Sequence, residues 1–155
     1  NPPSMLRLRD ELGPVAACNF DIAHMFYQGI DPIAAVRALG DAIQHVHVKD
    51  TIIHRDNARV KGMMDTTTAE QPDQRSWTYT LPGWGHDATL WRDFITTLRL
   101  TGYDHVLSVE MECEYIQVEE GLRKSLAFLN PMVLEHPPGP KWWEQVGMSR
   151  AGGLD

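Results

Sequence analysis

The sequence is poor in cysteine, basic clusters and long apolar runs, and each shortage excludes a class of protein. The two cysteines, Cys18 and Cys113, are far apart and outside any C-x-x-C spacing. A disulfide framework or zinc knuckle is therefore not expected, and a reduced, cytoplasmic setting is favoured. The net charge is −7 and the lysines and arginines are scattered, so we expect no nucleic-acid groove. No apolar run approaches the length of a membrane span.

What is present is the composition of an ordinary globular domain. Hydrophobic residues make up 43% of the 155 residues and charged residues 23%, so the chain can bury a core. It opens at Asn1 rather than Met, and we interpret this as a cut inside a longer chain, with a processed N-terminus as the alternative. Residues 1–130 are predicted to form the folded domain. Residues 131–155, with four of the ten prolines, are predicted to be a tail.

Helical and strand-like segments alternate along the chain. Apolar spacing and capping residues predict helices over residues 3–12, 32–39, 88–101 and 117–129 and strands over residues 15–20, 42–48 and 105–110. This alternation indicates parallel βαβ units and an α/β fold, without distinguishing an open sheet from a barrel. Residues 51–86 carry no long periodic segment. Because this stretch is too long for an ordinary connection, we predict a functional lid or an embedded hairpin, with residues 75–81 as one arm of the hairpin.

Ionisable residues follow or end each predicted strand. The first strand leads to Asp21 and His24, the second contains His45 and His47, and the third leads to Glu110 and Glu112. In parallel α/β folds the carboxyl ends of the strands form the active face. Mixed carboxylate and imidazole ligands suit Mn²⁺, Mg²⁺, Co²⁺ or Zn²⁺. The pattern therefore predicts a site for one divalent metal ion.

Three motifs in a fixed order carry a resemblance to a known family. They are D-x-x-H from residue 21, H-x-H from residue 45 and G-Y-D-(x5)-E from residue 102. Together with PGWGHD at residues 82–87, this set resembles sugar phosphate isomerases/epimerases of the xylose isomerase-like TIM barrel superfamily. The resemblance covers roughly residues 15–129. It implies the C-terminal part of a TIM (β/α)8 barrel, with about three parallel strands, flanking helices and a long loop or hairpin insertion.

The resemblance also implies which residues bind the metal ion and the substrate. Asp21, His47 and Glu110 match three of the four metal ligands, and Glu110 matches a residue that is also the catalytic acid/base. His24 matches a histidine that contacts substrate. The remaining glutamate, both ligand and second acid/base, would lie on a strand before residue 1. Since a barrel takes about 250 residues, either a preceding half or association of two copies would complete it.

Other residues near these motifs have alternative interpretations. Arg55 is a candidate for holding a substrate hydroxyl or phosphate, or is a solvated loop cation. Trp84 is a candidate stacking wall for the sugar, or belongs to a turn that starts the next helix. His45 shares a strand face with His47 and is expected to be hydrogen-bonded in the core below the metal. Glu112 is the second choice for the third strand's ligand.

The implied function is a metal-dependent isomerase or epimerase of sugars or sugar phosphates, acting by proton transfer next to a carbonyl through an enediolate. A divalent ion stabilises that charge as a Lewis acid, and a carboxylate moves the proton. Without the first glutamate, this chain alone is expected to be inactive. One alternative is a dehydratase or an endonuclease IV-like hydrolase on the same scaffold, the latter with three zinc ions. Another is a non-catalytic, truncated half-barrel.

Overall fold

The computed structural model describes residues 1–137 and 139–143. The helices are α1 (Pro2–Leu12), α2 (Ala23–Tyr27), α3 (Pro32–Leu39), α4 (Arg55–Lys61), α5 (Ala88–Leu100) and α6 (Val118–Leu129). The strands are β1 (Cys18–Asp21), β2 (Ile43–Val48), β3 (Asp50–Ile53), β4 (Trp77–Thr80) and β5 (Leu107–Val109). None of the helices in this part of the chain is both long and apolar enough to cross a membrane.

Three of the strands form a parallel sheet in the order β1–β2–β5. Asp21 lies opposite His47, and His47 lies opposite Ser108. Because the strands run in one direction, their carboxyl ends share one edge of the sheet, where the predicted site residues are found. The alternation of these strands with helices confirms the predicted α/β fold.

The core lies between this sheet and helices α3 and α5. Strand β2 turns Val46 and Val48 into the core and leaves His45 and His47 on the opposite face. Phe20 of β1 stacks on Phe94 of α5 with ring centroids 5.9 Å apart. Each such fully buried apolar side chain stabilises the fold by roughly 1.5–3 kcal/mol. Packing against the helices therefore stabilises one face of the sheet. The other face, which carries His45 and His47, is not needed for this packing.

Local capping explains where the two core helices begin. Asp31 accepts hydrogen bonds from the backbone N–H groups of Ile33 and Ala34 at 2.8 and 2.9 Å, and Pro32 needs no N–H partner at the first position. Asp87 caps α5 in the same way. Both caps are short sequence signals, and both helix starts match the prediction.

The segment predicted to be a lid or a hairpin is a hairpin. Strands β3 and β4 pair antiparallel, with Asp50 opposite Thr80 and Ile53 opposite Trp77. The arm predicted at residues 75–81 is a strand over residues 77–80. Helix α4 lies between the arms and, like α2, was not predicted, because helices of five to seven residues show too little periodicity.

Helical spacing predicts a buried stripe of Leu122, Leu126 and Leu129 on α6, and the observed buried face differs from it. Leu122 and Leu126 are 36% and 48% exposed, whereas Gly121, Ser125 and Leu129 are buried. A Cβ at Gly121 would lie 2.2 Å from the methyl carbon of Met111, so the helix packs through its small residues. The prediction was wrong for Leu122 and Leu126 because apolar periodicity cannot detect a close backbone approach.

The segment predicted to be a tail is largely exposed where it is described. Residues 131–137 and 139–143 include a short 3₁₀ turn, Asn130–Met132, and the side chains of Trp142 and Trp143 are exposed. Gly152 and Gly153 lie outside the described residues.

Candidate metal centre

Asp21, His47 and Glu110 meet at the carboxyl edge of the parallel sheet. Asp21 ends β1, His47 is the fifth residue of β2, and Glu110 directly follows β5. One ligand atom from each lies within 4.8 Å of the other two. Two carboxylates and one imidazole form a donor set that suits a divalent cation, so the residues present fit a metal ion. Within residues 1–137 and 139–143 it is the one group of three such ligands.

The imidazole of His47 is oriented by two neighbours. Its Nδ1 lies 3.0 Å from Oε2 of Glu110, and its Nε2 lies 3.3 Å from the side-chain amide nitrogen of Asn19. These contacts are satisfied when Nδ1–H donates to Glu110 and Nε2 accepts from Asn19. The histidine is therefore held against the carboxylate with which it would share a cation.

Lys49 is a member of this cluster that the sequence analysis missed. Its Nζ lies 3.1 Å from Oδ2 of Asp21 and 2.8 Å from Oε2 of Glu110, and it also bonds Glu112. Burial alone would lower the pKa of Lys49, but the bonds to Glu110 and Glu112 and the attraction of Asp21 raise it overall. A charged ammonium thus balances three carboxylates that would otherwise repel one another.

The two carboxylates of the candidate ligand set respond differently to their surroundings. Burial raises the pKa of Asp21, whose side chain is 8% exposed, although Lys49 and His24 oppose the shift. The bond from Lys49 lowers the pKa of Glu110, against a smaller effect of burial. The contact with Lys49 therefore favours the ionised form of Glu110.

His24 borders the cluster, as the D-x-x-H spacing suggests. Its Nε2 lies 3.3 Å from Oδ2 of Asp21, while Nδ1 lies 2.8 Å from the hydroxyl of Tyr27 and 3.1 Å from that of Tyr79. The ring of Tyr79 lies 4.2 Å from Nζ of Lys49, and burial raises the pKa of the Tyr79 hydroxyl. The β3–β4 hairpin therefore supplies an aromatic wall beside the cluster.

Arg55 and Trp84 are not brought to the cluster. Arg55 is exposed at the start of α4, and its side chain makes no ion pair or hydrogen bond with the described residues. Trp84 is 49% exposed and lines an open groove with Tyr115 and Lys124. Its position in a turn before α5 matches the alternative interpretation.

His45 differs from what was expected of it, and Glu112 stays the second choice for the ligand from the third strand. His45 is half-buried and packs edge-on against His47, with ring centroids 5.3 Å apart. Its imidazole ring has no hydrogen-bond partner in the described part of the chain, because the ring lies on the sheet face that the helices leave uncovered. Glu112 bonds Lys49 and lies outside the three-ligand cluster.

Asp50 is a second residue that was not predicted from the sequence, and its carboxylate ties the PGWGHD turn to the sheet. Its side chain is fully buried, and Oδ2 accepts the backbone N–H groups of Gly83, Gly85 and His86 at 3.0–3.1 Å. Oδ1 accepts the N–H of Thr51 at 2.8 Å and contacts Nδ1 of His86 at 2.7 Å. We call these five contacts the Asp50 clasp, and it fixes the turn next to the first residues of the hairpin.

Comparisons with known proteins point to one family. The model of the xylose isomerase-like TIM barrel family matches residues 1–132. The uncharacterized protein YfiH of Bacillus subtilis (strain 168) is 38% identical over 133 residues, which are 86% of this chain and 42% of that protein.

A solved structure shows the same fold. The xylose isomerase domain protein from Planctomyces limnophilus is similar with a TM-score of 0.61 at 22% identity, covering 84% of this chain and 43% of that one. The chain thus spans less than half the length of both proteins.

Proposed function

The chain belongs to the xylose isomerase-like TIM barrel family, and from this premise we propose that it forms part of a metal-dependent isomerase or epimerase of sugars or sugar phosphates. Membership confirms the superfamily that the three motifs indicated, and the three parallel strands match a partial TIM barrel. The superfamily includes sugar isomerases and epimerases as well as endonuclease IV-like members.

The observation that supports this proposal is the convergence of Asp21, His47 and Glu110. They come from three neighbouring strands, yet their ligand atoms lie within 4.8 Å of one another. We propose that they hold one divalent cation, Mn²⁺, Mg²⁺, Co²⁺ or Zn²⁺. When bound, the cation would polarise a substrate carbonyl and so acidify the hydrogen on the neighbouring carbon.

Glu110 is proposed to move that proton. Its Oε2 is occupied by His47 and Lys49, whereas Oε1 has no hydrogen bond to any residue of the described part. Oε1 is therefore the atom left to take the proton from carbon and return it.

The substrate is proposed to lie against His24 and Tyr79. The ring nitrogens of His24 and the hydroxyl of Tyr79 can exchange hydrogen bonds with sugar hydroxyls. The ring of Tyr79 would shield one side of the bound substrate from water. Arg55 and Trp84 are weaker candidates for substrate contacts, because both lie away from the cluster. The second acid/base group is proposed to come from a glutamate N-terminal to α1, as the resemblance implies.

Hydrogen exchange with solvent tests the proposal directly. The intact protein, stripped of metal with a chelator and supplied with one cation at a time, is incubated with ketoses and their phosphates in D₂O. We expect metal-dependent deuterium incorporation at the carbon beside the carbonyl, seen by NMR. Glu110→Gln should lose about 100-fold or more of this rate, whereas Glu119→Gln, at an exposed position in the first turn of α6, should keep it. Equal rates without metal, or in Glu110→Gln, would refute the proposal.

The same assay separates the rival functions. An endonuclease IV-like hydrolase would bind three zinc ions, so a metal count of one in the intact protein would favour the isomerase and a count of three the hydrolase. A dehydratase would release water and give an unsaturated product. A non-catalytic half-barrel would give neither exchange nor product with any cation.

A further inference from the structure

We propose that Lys49 is a tethered cation that occupies the carboxylate cluster when no metal is bound, so that a divalent ion must displace its ammonium group. The inference rests on the proposed function only in assuming that Asp21, His47 and Glu110 bind a metal. It adds a role for a residue that is neither a ligand nor a proton carrier. Lys49 would set how tightly the site holds its metal.

The ammonium and the metal would compete for the same atoms. Nζ of Lys49 is bonded to Oδ2 of Asp21 at 3.1 Å and to Oε2 of Glu110 at 2.8 Å. The side chain of Lys49 is 2% exposed, so water does little to screen its charge. A divalent cation on the same oxygens would lie within a few ångströms of the ammonium, where like charges repel strongly. We therefore expect the metal ion to take these oxygens and the ammonium group to move away from them.

The structure also offers the displaced ammonium another partner. Nζ of Lys49 bonds Oε2 of Glu112, which lies outside the three-ligand cluster and whose side chain is 50% exposed. The four-carbon stem of lysine is flexible, and the ring of Tyr79 lies 4.2 Å from Nζ. Lys49 can therefore release Asp21 and Glu110 while it keeps Glu112.

Removal of the ammonium should have opposite effects on the two forms of the protein. In the metal-free form, Asp21, Glu110 and Glu112 lose their shared counter-charge and repel one another, which lowers the melting temperature. In the metal-bound form there is no longer an ammonium to displace. The affinity for the metal should consequently rise.

Calorimetric titration of Mn²⁺ into the chelator-treated, intact protein tests this. We expect Lys49→Met to bind Mn²⁺ at least about tenfold more tightly than the wild type, equivalent to one charge-assisted hydrogen bond no longer broken. The metal-free variant should melt at a lower temperature. Lys141→Met, which removes an exposed positive charge from the predicted tail, should match the wild type in both.

The outcomes separate this inference from the proposed function. Absence of Mn²⁺ binding by the wild type would refute the metal site and, with it, this inference. Equal or weaker binding by Lys49→Met would refute the inference alone. If Lys49→Met does not fold, crystal structures of the wild type with and without Mn²⁺ decide. Nζ should lie beyond hydrogen-bond distance of Glu110 in the Mn²⁺ form, and a retained bond would overturn the inference.

Discussion

The substitution Asp50→Asn should test whether the Asp50 clasp holds the turn at residues 82–87 in place. The carboxylate is fully buried and makes all five contacts through its two oxygens. An asparagine keeps the size of the side chain but has one oxygen, and its NH₂ group then faces N–H donors. With His86 in the tautomer that donates from Nδ1, at least two of the five hydrogen bonds are lost in either orientation of the amide.

The expected cost follows from the strength of these bonds. A hydrogen bond to a charged group contributes about 1.5–3 kcal/mol, so two of them contribute about 3–6 kcal/mol. Burying a neutral amide costs less than burying a carboxylate, which leaves a loss of roughly 3 kcal/mol. Urea unfolding followed by tryptophan fluorescence measures this as a lower midpoint at an unchanged slope. A loss of that size is a large fraction of the stability of a typical domain.

The neighbouring aspartate supplies the control. Asp87 caps α5 by accepting the N–H groups of Thr89 and Leu90 at 2.9 and 3.2 Å, and asparagine is an equally good N-cap. Asp87→Asn should therefore change the free energy of unfolding by less than about 0.5 kcal/mol. If Asp50→Asn costs no more than Asp87→Asn, the buried clasp does not hold the turn and our account of it is wrong.

Two further predictions concern the same hairpin. Gly85→Ala should lower the melting temperature, because the new Cβ would lie 2.2 Å from the carbonyl oxygen of Thr51. Gly139→Ala is the control and should keep the melting temperature, because a Cβ there meets no atom within 4 Å. Equal melting temperatures of the two variants would contradict this prediction. The carboxylate of Asp65 accepts hydrogen bonds from the hydroxyl and N–H of Thr67 and from the N–H of Ser76. These bonds hold the pKa of Asp65 well below its usual value, although burial acts to raise it. The stability that Asp65 contributes is therefore present above roughly pH 4 and lost as the pH falls through the folded-state pKa. The difference in urea midpoint between the wild type and Asp65→Asn should narrow below that pH, and a constant difference would count against the sign of the shift.

The parts of the fold that were predicted correctly depend on local signals. Asp31 and Pro32 start α3 and Gly40 ends it. These signals lie within ten residues, so both ends of the helix can be predicted from the local sequence. The period of two in β2 likewise put His45 and His47 on one face. Strands at the predicted places then brought Asp21, His47 and Glu110 to one edge, because parallel strands share a direction.

The parts that were missed depend on contacts between distant segments. Lys49 follows His47 by two residues, so it points to the same side of the sheet. Only the folded structure shows that three carboxylates surround it. Asp50 accepts hydrogen bonds from backbone N–H groups more than thirty residues away. Every residue except proline has such a group, so the sequence does not show which ones Asp50 binds. The face of α6 that packs was hidden for a similar reason, since Gly121 and Ser125 carry no hydrophobic signal.

The most direct test of the central claim is to locate a cation in the intact protein. Crystals grown with Mn²⁺ should give an anomalous scattering peak at about 2.0–2.3 Å from ligand atoms of Asp21, His47 and Glu110 together, and His47→Ala should remove it. Crystals of the wild type without such a peak, or with the peak on other residues, would show that these three side chains do not form a metal site.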